Sequence, residues 1–330
     1  MKKLTKIIGI AFLAVSVLSC SDDNESQPTI VDIASGDAEF STLVRALERT
    51  DLVTTLDGSG QFTVFAPTNA AFTTFFTSIS TPTNVVTVEN VPVATLKAIL
   101  LNHVIGSEIK STALPTATYA STLSPINTTA TSPTISMFVQ KAGSVVTING
   151  GSANGGATVT TADLDASNGV IHVVGNVIAI PTVVNHVIAN PDFDTLQTVV
   201  TSTDQAAVLG ALSGLTATAP ATLFAPNNAA FTAALGAGGF ANSATAAQVT
   251  KVLQYHVTTA GNVRSSQLTN NQVVPMFTSP VLNVTVILGT SNPVTVDIKD
   301  TQNILSRVFQ ADIQASNGVI HGVNKVLRPF

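Results

Sequence analysis

The side chains most able to do chemistry are five histidines, one cysteine and a few carboxylates. His103, His172, His186, His256 and His321 are scattered over 330 residues, and Cys20 is the single thiol. No two histidines fall in H-E-x-x-H or H-x-H spacing, so no zinc-binding face is written into one element. One cysteine supports neither a disulfide framework nor a thiolate cage. The sharper option is a site assembled by the fold, with His103 and His172, or His256 and His321, as metal ligands or a general base. The competing option is a neutral core imidazole that donates to a backbone carbonyl or to the closing hairpin. His103 and His256 lie on apolar helix faces, which favours the second. No metal and no cofactor is expected.

Other catalytic signals are missing. The chain has no G-x-S-x-G elbow for a nucleophilic serine. It has no G-x-x-x-x-G-K-[ST] phosphate loop and no dinucleotide loop after a strand. The glycine-rich residues 150–156 lie between β-rich runs and read as a hairpin loop. The Thr- and Ser-rich residues 111–134 read as an extended edge or loop. No catalytic residue is assigned, and the chain is not expected to be an enzyme.

Composition narrows the class further. The chain is 45% apolar but only 10% charged, against about 25% charged in a typical soluble domain. That excludes disorder, which needs high charge and few Val, Ile and Leu. With 14 basic and 19 acidic residues the net charge is −5, so the basic stripe of a nucleic-acid partner is missing.

Cys20 has a chemistry of its own. Lys2, Lys3 and Lys6 precede an apolar run over residues 7–18, interrupted by Gly9 and Ser16. The run is shorter than the ~20 residues that span a bilayer, and its layout is that of a secretory signal over residues 1–19. Val17-Leu18-Ser19-Cys20 resembles a bacterial lipobox, which implies lipidation of Cys20 and anchoring to the membrane. Residues 20–28 then form an acidic tether, carrying Asp22, Asp23 and Glu25. An acidic stretch there resembles the surface-export signal of Bacteroidetes lipoproteins. The expected location is the outer membrane, lipid-anchored and exposed on the cell surface, with the leader removed.

The rest is one unit written twice. FAPTNAAF at residues 65–72 recurs as FAPNNAAF at 224–231; LLNHV around His103 answers LQYHV around His256; SNGVIH at 167–172 recurs unchanged at 316–321. The modules are residues 29–181 and 183–330, each with a full set of motifs and so each expected to fold alone.

The elements that position these motifs follow from periodicity. Phe40, Leu43, Val44 and Leu47 make a helical stripe, as do Leu96, Ile99, Leu100 and His103, and Val249, Val252, Leu253 and His256. Asn190-Pro191 is a helix start, Thr245 with Gln248 a capping box, and Thr68 or Asn69 caps the helix that carries Phe72, Phe75 and Phe76. Residues 62–65, 145–148 and 284–288 read as strands. Each module closes with a strand over residues 170–180 or 319–327, entered through the Asn-Gly turn. Early helices and late strands without β-α-β alternation predict an α+β module.

These motifs in this order resemble the fasciclin domain (beta-Ig-H3/fasciclin), in two tandem copies over nearly all of residues 29–330. The resemblance implies a β-sandwich-like wedge with packed helices, in a secreted or membrane-anchored protein of cell adhesion and matrix contact. Three positions depart from the family pattern. Asn102 replaces the tyrosine that Tyr255-His256 keeps, Ala70 and Ala229 stand where an acidic residue is common, and Gly175 and Asn324 where Asp is common. Animal members carry an Asp-Ile pair implicated in integrin contact. It falls here on Asp163-Leu164 and Asp312-Ile313, where Leu or Ile can equally fill the core and Asp open a turn. Strand alternation would send Leu164 and Ile313 inward and Asp163 and Asp312 to solvent, making substitution of the aspartates nearly neutral for stability. The expected function is non-enzymatic adhesion or matrix binding to an extracellular protein or glycan. A glycan-binding accessory lipoprotein and an envelope spacer are the alternatives. With no Trp and only Tyr119 and Tyr255, the aromatic platform for sugar stacking is thin.

Overall fold

The computed structural model describes residues 27–127, 132–290 and 294–330. The leader, Cys20 and tether residues 21–26 lie outside them. The first module runs α1 Ile30–Gly36, α2 Ser41–Arg49, α3 Val53–Leu56, β1 Phe62–Pro67, α4 Asn69–Ile79 and α5 Val93–Asn102. The strands β2 Val104–Ile105, β3 Ala117–Pro125, β4 Thr134–Ala142, β5 Val145–Ile148, β6 Ala157–Ala166 and β7 Gly169–Val174 follow. The second repeats the order: α6 Val183–Ala189, α7 Asp194–Val200, α8 Ala206–Ser213, β8 Ala221–Pro226, α9 Asn228–Leu235 and α10 Ala246–Gln254. Its remaining strands are β9 Val257–Thr258, β10 Val273–Pro275, β11 Asn283–Leu288, β12 Val296–Lys299, β13 Leu305–Ala315 and β14 Gly318–Val323.

Each module is α+β, with one continuous curved sheet. The first sheet closes into a barrel, β1 lying between β2 and β7. The second has the corresponding order from β10 round to β9, and the Phe277 N–H donates to Val257 O at 2.7 Å just beyond the open seam. Among the described residues only the β1–β7 and β8–β14 pairs are parallel. Because the helices cover one face of β1 and the barrel interior lies on the other, alternate residues feed two cores. Val64 and Ala66 join the helices, while Phe65 points into the barrel with Met137 and Ile148. Leu223, Ala225 and Phe224 divide the same way in the second module. A strand buried on both faces favours an apolar run, which explains the unbroken apolar end of the FAP motif; the buried Thr63 and Thr222 earlier in the strands bond their hydroxyls to Ser107 O and Gly261 O.

Local signals hold where caps are concerned. Thr68 and Asn227 accept from the N–H of Ala71 and Ala230, and Thr245 and Gln248 cap each other reciprocally. Asn190 caps the short 3-10 turn Pro191–Phe193. The closing strands are shorter than predicted, ending at Val174 and Val323. Beyond them the chain turns off the sheet toward the buried helix histidines.

The Ser-Asn-Gly turn is a clasp as well as a hairpin. Ser167 N–H donates to Pro28 O at 3.0 Å, Ile30 N–H donates to Asn168 Oδ1 at 3.0 Å, and Asn168 Nδ2 donates to Leu56 O at 2.7 Å. Ser316, Asn317, Pro181 and Val183 repeat the arrangement. The last hairpin thus holds the first helix of its own module. A Cβ at Gly169 (φ 144°) would lie 2.0 Å from Phe62 O, so only glycine fits this approach.

The modules also grip each other. Tyr119 on β3 packs against the second core, its ring edge-on to His186 at 5.5 Å, and its hydroxyl accepts from Asn190 Nδ2 at 3.3 Å. Gln314 N–H on β13 donates to Ser136 Oγ on β4 at 2.9 Å. Asn154 and Asn185 exchange amide bonds, Asn154 Nδ2 to Asn185 O at 2.8 Å and Asn185 Nδ2 to Asn154 Oδ1 at 3.0 Å. The two modules are therefore joined by hydrogen bonds and by Tyr119, which covers part of the second core.

Replacing Tyr119 with Ala removes an aromatic wedge and leaves Asn190 Nδ2 without its partner. The expected cost is about 1–3 kcal/mol. Calorimetry should show the single wild-type transition splitting or broadening; an unchanged melt would show that the contact contributes nothing to coupling.

Candidate functional site

The predicted site residues fall into two clusters per module. His103 ends α5, 2% exposed, with Nδ1 at 2.8 Å from Ile99 O and Nε2 accepting the Ile178 N–H at 2.8 Å. His256 ends α10 in the same way, with Val252 O at 2.7 Å and the Leu327 N–H at 2.8 Å. The carbonyl acceptor fixes the proton on Nδ1 and leaves the Nε2 lone pair for the incoming N–H. Burial pushes both rings down to about 4, against the opposing pull of the carbonyl hydrogen bond.

The neighbouring position differs between modules for a visible reason. Tyr255 is fully buried; its hydroxyl donates to Asn283 O at 2.7 Å and accepts the Thr301 N–H at 3.1 Å. Asn102 instead turns back on the segment that binds its own histidine, donating to Ile178 O and Ala179 O at 3.3 and 3.2 Å.

The second cluster gathers at the aspartate pair. His172 on β7 accepts the Asp163 N–H at Nδ1 (3.2 Å) and donates from Nε2 to Ile109 O at 3.0 Å. His321 does the same with Asp312 N–H at 3.3 Å and Val263 O at 2.9 Å. Phe65 and Phe224 lie against these rings at 5.5 and 5.7 Å. His103 and His172 are thus committed to separate backbone partners, as are His256 and His321, and no metal-holding group of three side chains occurs among the described residues.

Asp163 and Asp312 do not lie free in solvent as alternation predicts. Both have left-handed backbones, φ 60°, at an irregularity where the register to the closing strand shifts. The bulge breaks the two-residue period and rotates the carboxylate back toward the protein. Asp163 Oδ1 accepts the Ser111 N–H at 2.7 Å and Oδ2 accepts the Ser111 hydroxyl; Asp312 and Ser265 match, again 2.7 Å at the N–H. Each carboxylate holds the start of a 3-10 turn, Ser111–Ala113 or Ser265–Gln267. Partial burial pushes the Asp163 carboxyl up, but the donations from Ser111 outweigh it and hold it below its ordinary value. Substituting these aspartates therefore costs stability. Ile313 is buried and Leu164 half-buried against the helical core.

Serine, aspartate and histidine meet here without a catalytic relay. The serine hydroxyl donates straight to the carboxylate, and the imidazole faces main chain on both edges, so the imidazole does not reach the hydroxyl. What remains accessible is the outer side of each carboxylate, 30% exposed at Asp163 and 38% at Asp312. Lys110 beside it pairs with Asp165 at 2.9 Å. Sequence reasoning missed Ser111 and Ser265; the shared basic-Ser pairs Lys110-Ser111 and Arg264-Ser265 were the available signal.

The neutral rings make the fold acid-sensitive. His103, His186 and His256 have folded values of about 4 against an ordinary 6.5. Their contribution is complete above pH 6.5, falls as pH drops from 6.5 to 4, and is gone below. Each group gives a slope of roughly 1.4 kcal/mol per pH unit across that window. Urea titrations between pH 7 and 4 should show this steep loss. A flat profile would mean the rings charge freely in the folded state.

Comparison with known proteins agrees with this geometry. Residues 38–181 and 191–329 each match the fasciclin domain. Protein sll1483 of Synechocystis sp. is 38% identical over 157 residues, 48% of this chain and 76% of that protein. Transforming growth factor-beta-induced protein ig-h3 of Sus scrofa is 50% identical over 44 residues, 13% of this chain and 6% of that protein. A FAS1 domain pair from the insect cell adhesion molecule Fasciclin I shares the fold at TM-score 0.50 and 16% identity, covering 86% of this chain and 92% of that one. With two copies of the domain, their motif histidines and closing hairpins in matching roles, this chain belongs to the fasciclin domain family.

Proposed function

We propose that this chain is a non-enzymatic adhesion or matrix-binding lipoprotein, exported by residues 1–19, anchored through Cys20 and displayed on the cell surface. The observation that carries the reading is the twice-built aspartate bulge. A partly exposed carboxylate is held by the same serine, and the backbone that carries it by the same histidine, once per module. The Tyr119–His186 contact and its neighbours fix the two modules against each other. Two weak contacts held at a set spacing act together through effective concentration, which gives the tandem copies a purpose. An extracellular protein with paired cationic or donor groups is the partner this suits.

The test uses Asp163→Asn with Asp312→Asn, which keeps an acceptor for each serine and removes the charge. Stability should fall by about 1–2 kcal/mol per site, so attachment to matrix-coated surfaces is compared where both proteins are folded. Attachment by the double variant should fall well below that of either single variant. Undiminished attachment would remove the bulges from the account. In cells, Cys20→Ala should leave the washed envelope fraction, and retention there would remove the lipid anchor.

A further inference from the structure

One cavity of the second module has no part in the adhesion reading. It measures about 320 Å³ and lies between α9, the residues after β14 and the loop at Phe240. Its walls include Ala230, Ala233, Phe240, Asn324, Lys325 and Arg328. Among the described residues neither Lys325 nor Arg328 has an ion-pair partner, in a chain with an excess of acid. Arg328 stacks over Phe240 at 4.9 Å, and Phe240 meets Phe330 edge-on at 6.1 Å. A guanidinium placed over a ring face keeps its N–H groups available to an anion.

The main chain that carries the two cations is pinned. Lys325 N–H donates to Ser306 Oγ at 3.1 Å, and Ser306 Oγ donates to Lys325 O at 2.9 Å. Arg328 N–H donates to Asp300 Oδ2 at 2.9 Å, and its carbonyl accepts from Thr301 Oγ1 at 2.6 Å. Asp300, the nearby acid, is buried and also accepts the N–H groups of Gln302 and Ile304, both at 2.9 Å. Its carboxylate is therefore turned inward onto three backbone donors. Asn324 Oδ1 accepts the Arg307 N–H at 2.8 Å, and among the described residues its amide NH₂ has no partner. Aligned on the Ser-Asn-Gly turn, Lys325 and Arg328 correspond to Asn176 and Ala179, so the first module carries neither charge.

We propose that this cavity binds an acidic saccharide, a sugar ring bearing a carboxylate or sulfate group. The anion sits on Lys325 and Arg328, Asn324 donates to a ring hydroxyl, and the sugar's C–H face covers the alanine methyls of α9 and the edge of Phe240. The volume suits one or two sugar rings, at the small end of ligand cavities. A peptide fits less well, because the main chain at Lys325 and Arg328 is already paired and offers no ladder to extend. The site is independent of the aspartate bulges.

Calorimetric titration of the mature two-module protein tests it with trigalacturonate, a sulfated trisaccharide, maltotriose and triglutamate. Binding of either acidic sugar is expected, and which one binds separates carboxylate from sulfate recognition. Lys325→Gln with Arg328→Gln should weaken it at least 10-fold. So should Ala233→Glu, an exposed helix position that places a carboxylate in the cavity without disturbing the core. Asp163→Asn with Asp312→Asn should leave it unchanged, which separates this site from the adhesion reading. Binding of neither acidic sugar, equal binding by the cavity variants, or equal binding of maltotriose or triglutamate would each overturn the proposal.

Discussion

Everything in each module hangs on an imidazole that must stay neutral. His103 and His256 sit where a helix ends, and each ties three separate pieces of chain. Nδ1–H holds the last turn of its own helix, and Nε2 receives an N–H from the segment leaving the closing strand. The backbone carbonyl accepts from Phe65 or Phe224 on the central strand, at 2.9 and 2.8 Å. A protonated ring would oppose a donor to the Ile178 or Leu327 N–H, and a buried unpaired donor is costly. No other side chain offers a donor and an acceptor on opposite edges of a rigid plate. The three recurring motifs are therefore one device: the strand, the pin and the closing hairpin.

The second pair of histidines extends that device to the surface. His172 and His321 hold the Asp163 and Asp312 backbones in the left-handed bulge, and each carboxylate in turn fixes a 3-10 turn. The most exposed part of the motif is thus referenced to the most buried part through a short chain of hydrogen bonds. Divergence between the modules is confined to places where this chain is not broken. Asn102 for Tyr255 changes what is packed beside the pin and leaves the pin intact. Likewise Lys325 and Arg328 decorate the second module's exit segment while its backbone keeps the same path.

Much of this was legible in the sequence, for physical reasons that can be named. Repeats, caps and helical stripes are local, and Thr68, Asn190 and Thr245 act where their spacing puts them. The neutral core histidine was legible because His103 and His256 continue an apolar stripe. The aspartates were misread because period-two alternation assumes an unbroken ladder, and a bulge resets it. Ser111 and Ser265 stayed hidden because their partners lie about fifty positions away and are joined only by the fold. Tyr119 against His186 was equally hidden: nothing in a local pattern says that one module's strand will lie on the other's first helix. The closing strands were overdrawn because Val177, Ile178, Val326 and Leu327 stay apolar and buried after the chain has left the sheet, beside the pins.

The most direct measurement is the tautomeric state of the five rings, read from ¹⁵N chemical shifts of the imidazole nitrogens at pH 7 and followed downward. The account predicts that His103 and His256 carry their proton on Nδ1 and that His172 and His321 carry theirs on Nε2. His103 and His256 should stay neutral until pH approaches 4. An Nε2-protonated His103 or His256, or either ring titrating near its ordinary 6.5 in the folded protein, would contradict it.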